Sequence, residues 1–196
     1  MSPSGDRRRE VAAAGHRGDD ATARDGLSDA DPTVRATSLG ALSRSGGLPD
    51  AVLATALADP HQTVRRRAAT IAARHPEVDL GAVLHDAEPF VVEAAAWACG
   101  ERERPGSPLV PVLAAVATDH DDPLCREAAV AALGAIGDPR GMPAILVACG
   151  DKPAVRRRAV LALAPFDGPE VDAALAAARD DRDWQVRQAA EDLMDG

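Results

Sequence analysis

The chain has 196 residues, a formal charge of -9 at pH 7, two Trp, two Phe and no Tyr. That negative balance argues against general affinity for nucleic acid, which needs a surface that neutralises phosphate. No apolar run reaches the length of a bilayer span or of a signal-peptide core, so the expectation is a soluble cytoplasmic protein with no membrane contact.

Taken in order, residues 1–5 are expected to be disordered, and residues 6–196 to form one continuous domain. Asp6 to Gly15 reads as a capping helix whose Arg7, Arg8, Arg9 and Glu10 face solvent. Helix pairs follow at 20–28 with 32–45, 48–58 with 61–74, and 77–85 with 88–101. Three more follow at 108–118 with 122–136, 139–149 with 152–164, and 168–179 with 182–194. The segment from Glu101 to Pro108 is the longest connection and the expected hinge.

These pairs are copies of one motif, clearest at residues 122–149. With Cys125 as origin, Ala129, Ala132, Leu133 and Ile136 follow at four, seven, eight and eleven positions, one face of a helix. Gly137 then stops that helix and Asp138-Pro139 starts its partner. Equivalent origins are Val34, Val64, Val91, Val155 and Val186, about 30 residues apart, each after an Asp-containing turn. An Arg follows every origin except Val91, where Val92 stands. Two helices this short cannot bury their apolar faces alone, so the copies must stack.

The pattern Asp-Pro, Val-Arg, Ala-Ala, Ala-Leu-Gly, Ile-Gly-Asp-Pro resembles HEAT-like repeats, especially the short type of phycobilisome-lyase-like proteins, over roughly residues 20–194. The resemblance implies an all-α fold, an α-solenoid (superhelix) of about six helix pairs with an N-terminal capping helix. It also implies a concave surface lined by the second helix of each pair. For function it implies a binding scaffold in most members and an enzyme in a few.

The turns collect acids at one edge, among them Asp31, Asp59, Asp122, Asp151 and Asp183. Asp at a helix start caps free N–H groups, and some of these carboxylates should pair with the recurring Arg as a ladder. His61, His85 and His120 share the edge, but turns of adjacent pairs lie about 10 Å apart, too far to converge on one ion. No metal or other cofactor is expected. The His-Glu pairs implied for the HEAT-like deoxyhypusine hydroxylases are absent from the sequence. Cys99, Cys125 and Cys149 fall at apolar positions and read as small buried hydrophobes. Lys152 is the only lysine, a bias for which genomic base composition is a sufficient reason.

The inner face should present residues one before the origin and two, six and ten after it. In the third repeat these are Phe90, Glu93, Trp97 and Glu101. Arg66, Thr70 and Arg74 precede them, and Glu127, Ala131, Ala135 and then Arg157 follow. Trp97 either anchors a partner in a groove edged by Glu93, Glu101, Arg66, Arg74, Glu127 and Arg157, or lies across the alanines as packing. Trp184 is expected to be terminal packing.

The leading expectation is a non-enzymatic scaffold or adaptor that binds a peptide or helical segment of another protein, with the oligomeric state open. Resemblance keeps two alternatives: a DNA-binding enzyme similar to the HEAT-like alkylpurine DNA glycosylases, and a lyase or maturation-factor role. The mixed charge of the groove and the scarcity of aromatics speak against the first. No Gly-rich phosphate loop, zinc spacing or nucleophile elbow is present, and no catalytic residue is assigned.

Overall fold

The computed structural model describes residues 3–195, and every regular element among them is helical. Its contacts divide the chain into two compact units, Met1–Val83 and Leu84–Gly196. The first holds α1 (Pro3–Arg17), α2 (Asp20–Asp25, continued by a 3-10 turn to Ser28), α3 (Pro32–Ser45), α4 (Asp50–Ala56) and α5 (Gln62–Ala72). The second holds α6 (Pro89–Arg102), α7 (Val110–Asp119), α8 (Pro123–Ile136), α9 (Met142–Ala148), α10 (Pro153–Ala162), α11 (Pro169–Arg179) and α12 (Trp184–Asp195). Each unit is an α-solenoid stack of short helix pairs.

The starts and stops follow from local chemistry. Proline occupies the first turn of α3, α6, α8 and α10, where its missing N–H costs no helical bond. Asp31 accepts from the Thr33 N–H at 2.8 Å and Asp122 from the Leu124 N–H at 2.9 Å. Gly46 and Gly137 close α3 and α8 in the left-handed region, at φ 78° and 67°. Pro3 begins α1, so residues 3–5, expected to be disordered, belong to a helix. Residues 1 and 2 lie outside the described part.

One expected helix does not form. Residues 77–85 run as turns with a single 3-10 turn at Val83–His85. Pro76 and Gly81 bracket a stretch too short to nucleate a helix, and the Asp79 carboxylate accepts from the Gly81 N–H at 2.9 Å, a local bond that competes with helical pairing. Val78, Leu80, Val83 and Leu84 are nevertheless buried. The division between the units falls at this repeat.

Within the units, second helices stack on second helices: α1 on α3 and α3 on α5, then α6 on α8, α8 on α10 and α10 on α12. All six origin residues are at most 2% exposed, so the eleven-residue apolar face is the core. Small residues set the spacing. A Cβ on Gly134 of α8 would stand 2.6 Å from the Ala162 Cβ and 2.7 Å from its Cα on α10. Gly134→Ala is therefore expected to destabilise by about 1–3 kcal/mol, although alanine is the better helix former. A rise in the urea midpoint would show that α8 and α10 can part without loss.

The turn edge carries the ladder. Arg35 grips Asp59 through two bonds of 2.9 and 2.7 Å, Arg126 grips Asp151 at 2.6 and 2.8 Å, and Arg156 grips Asp181 at 2.8 and 2.7 Å. In each case the third nitrogen donates to carbonyls of the arginine's own turn, for example Arg126 Nη1 to the His120 oxygen at 2.7 Å. One side chain thus ties its own turn to the next, and the paired guanidinium holds each of these carboxyls below its ordinary value. His61 and His120 serve as backbone acceptors, Nδ1 receiving the Thr63 and Asp122 N–H groups at 3.2 and 3.0 Å.

The expected hinge is pinned instead. Asp138, 4% exposed, accepts from the Gly106 N–H at 2.6 Å, and Arg140 bonds both Asp138 and the Ser107 carbonyl. Hydrogen bonds from Arg140 and from the Gly106 and Arg140 N–H groups hold the Asp138 carboxyl far below the usual range.

Candidate functional site

In the second unit the outward positions of α6, α8 and α10 form two rows across adjacent helices. Helix periodicity puts residues two and six after each origin on the side away from the core. The row at six holds Trp97, Ala131 and Leu161, and the row at two holds Glu93, Glu127 and Arg157. Trp97 is 47% exposed and Leu161 36%, with Ala131 half-buried between them. An apolar line therefore crosses three helices, about 20 Å at ordinary helix spacing, with a charged line beside it.

Phe90 and Glu101 lie exposed near the two ends of α6, one turn or more to either side of this line. Glu127 on α8 faces Arg158 of α10 at 3.7 Å, an open pair, while Arg157 points to solvent. The structure thus gathers Phe90, Glu93, Trp97, Glu101, Glu127 and Arg157 on the second-helix face of one unit. Arg66 and Arg74 belong to the other unit, Arg66 exposed on α5 and Arg74 just beyond it, donating to the Ser43 hydroxyl at 2.8 Å.

Close packing explains why the indole stays exposed. A Cβ on Gly100 of α6 would meet the Ala132 Cα at 3.1 Å and the Ala135 Cβ at 3.7 Å. With α6 and α8 this near, little space for a large ring remains between them. Trp184 departs from the expectation of terminal packing. It opens α12 and is 65% exposed, because it precedes Val186 by two residues, about 200° around the helix from the core.

The cysteines match their apolar positions. Cys99 and Cys125 are buried and Cys149 is half-buried, all three as free thiols. Burial pushes Cys125 up to about 11, with Asp122 and Glu93 adding to it, and burial alone does the same for Cys149. Such thiols are poor nucleophiles at neutral pH. Among the described residues, no three His, Cys, Asp or Glu side chains gather closely enough to hold a metal ion.

A family model of HEAT repeats matches residues 50–132, 77–154 and 110–194. The chain belongs to the HEAT repeat family. No curated protein sequence matches it significantly. Among solved structures, this HEAT repeat protein is similar to a designed armadillo repeat protein in complex with the peptide (KR)4, with 16% identity, a TM-score of 0.62, and 87% of this chain and 96% of that one covered. An Escherichia coli protein, YibA, shares 18% identity with a TM-score of 0.62, over 97% of this chain and 73% of that one. Human deoxyhypusine hydroxylase in complex with glycerol shares 22% identity with a TM-score of 0.51, over 96% of this chain and 78% of that one. At these identities the likeness is one of fold.

The sequence reading missed Arg67. It follows its origin by three positions, outside the four positions assigned to the inner face, yet its side chain lines a groove on α3 and α5. The available signal was Gly40, a mid-helix glycine at the position where the other repeats carry Thr70, Trp97, Ala131, Leu161 and Asp192.

Proposed function

We propose that this HEAT repeat protein is a non-enzymatic scaffold that binds a segment of a partner protein across α6, α8 and α10, with Trp97 as the anchor. The observation that carries the reading is the half-exposed indole at the head of an apolar line, flanked by charges of both signs. Exposed aromatics set among small residues supply much of the energy of protein recognition, while rim charges select the partner. HEAT repeats generally serve as protein-binding surfaces, and the designed armadillo neighbour holds a peptide. Three free thiols fit a reducing compartment, and no helix among the described residues is long and apolar enough to cross a membrane.

Trp97→Ala is the test. It is expected to leave the thermal midpoint nearly unchanged and to weaken partner binding by about 2 kcal/mol, roughly thirtyfold. Affinity capture from nuclease-treated source lysate with wild type and variant should identify a protein lost selectively with the variant, whose affinity is then measured with purified components. A destabilisation of about 3 kcal/mol would instead make Trp97 a packing residue. Equal capture by both forms would remove the anchor from the proposal.

A further inference from the structure

The first unit carries a second and chemically different surface. A groove of about 480 Å³ runs along α1, α3 and α5, lined by Arg8 and His16 of α1, Arg44 of α3 and Arg67 of α5, with Thr37 and Thr63 among them. None of its lining side chains is a carboxylate. In a chain of net charge -9 this is a local reversal of sign.

Arg67 is the centre of the groove. Its guanidinium approaches α3 at Gly40, where an added Cβ would run into its nitrogens. The absence of a side chain at Gly40 is therefore what lets the guanidinium sit down in the groove. The ladder arginines show what this protein does with a structural arginine: Arg35, Arg126 and Arg156 each take a carboxylate in a two-bond grip. Arg67 and Arg44 have no such partner among the described residues. The charges near Arg67 are those of Arg44 and Arg74, and with burial as the larger cause they pull it below the ordinary guanidinium value. Like charges held close together repel, and an anion that enters the groove relieves that repulsion.

We infer that the groove of the first unit binds an acidic polypeptide segment, whose carboxylate is received by the Arg67 guanidinium over Gly40 with Arg44, Arg8 and His16 around it. A planar guanidinium can take a carboxylate through two parallel bonds, as the ladder already does. A polypeptide fits better than a nucleic acid. The basic surface is confined to one short groove, which a short run of carboxylates can match, whereas a continuous phosphate backbone would extend past it toward the acidic turns at Asp29, Asp31 and Asp59. The inference shares with the scaffold reading only the class of partner, since it concerns other residues in the other unit.

The test is fluorescence anisotropy at low salt with labelled poly-glutamate, poly-serine and poly-lysine peptides and an oligothymidylate. Wild type should bind poly-glutamate in preference to the other three, and added salt should weaken that binding. Arg67→Gln should lose at least about tenfold in affinity. Gly40→Ala should also weaken it, because it keeps every charge and displaces only the guanidinium. Arg104→Gln, the same charge change on the second unit, and Trp97→Ala should leave it unchanged. Circular dichroism checks that each variant is folded, and Gly40→Ala keeps the test open if Arg67→Gln is not. Failure of wild type to prefer poly-glutamate over poly-serine overturns the inference. So does an equal loss in Arg67→Gln and Arg104→Gln, or tighter binding of oligothymidylate.

Discussion

Val155→Asp is expected to unfold α10 and, with it, the helices beyond. Val155 is fully buried on the core face of α10, and a carboxylate there has no polar partner, a cost of about 4 kcal/mol or more. Because each repeat of a solenoid is held mainly by its neighbours, loss of an interior repeat also strips the terminal one of its support. The terminal core is thin: Val160, Ala178, Val186, Ala189 and Ala190, with Leu175 partly covering it. Val186→Asp should therefore melt α11 and α12 alone. Hydrogen exchange would separate the two cases, with protection lost from α10 to α12 in the first variant and only from α11 and α12 in the second. Equal loss of protection would mean that the second unit unfolds as a whole.

Arg156→Ala should destabilise the second unit by about 3 kcal/mol. The substitution deletes two bonds to Asp181 and one to the Asp151 carbonyl, and it leaves the Asp181 side chain, 15% exposed, without its cation. The effect depends on pH in a defined direction. Asp181 is held below its ordinary value chiefly by its hydrogen bonds with Arg156, so its contribution is complete above the ordinary carboxylate range, near pH 4. It is lost as pH falls from there through the lowered folded value. Arg156→Ala should accordingly reduce the midpoint at neutral pH and lose less on acidification than wild type does. Urea titrations at neutral and acidic pH check both statements. An unchanged difference between the two proteins across that range would show that Asp181 is not the group through which Arg156 acts.

Most of this fold was legible because its signals are local. The origins from Val34 to Val186, the Asp caps and the stops at Gly46 and Gly137 each work within about two helical turns. The ladder was legible as well, since an Asp turn and an Arg at fixed offset recur with the repeat. The missing helix at residues 77–85 was not. Its buried Val78, Leu80, Val83 and Leu84 satisfy an apolar pattern, while the Asp79 to Gly81 turn that replaces the helix leaves no mark on periodicity.

The sequence by itself determined that helix pairs would form outside residues 77–85, about where most would begin and which face would be buried, because period, caps and breakers act over a few residues. Only the tertiary structure decided that the contacts part into two units, that Trp97 and Trp184 stay exposed, and that Arg67 lies on Gly40 without a carboxylate. Those outcomes depend on which helix surfaces meet and how closely they approach, and a spacing of a few ångströms between helices distant in sequence is not written in any one of them.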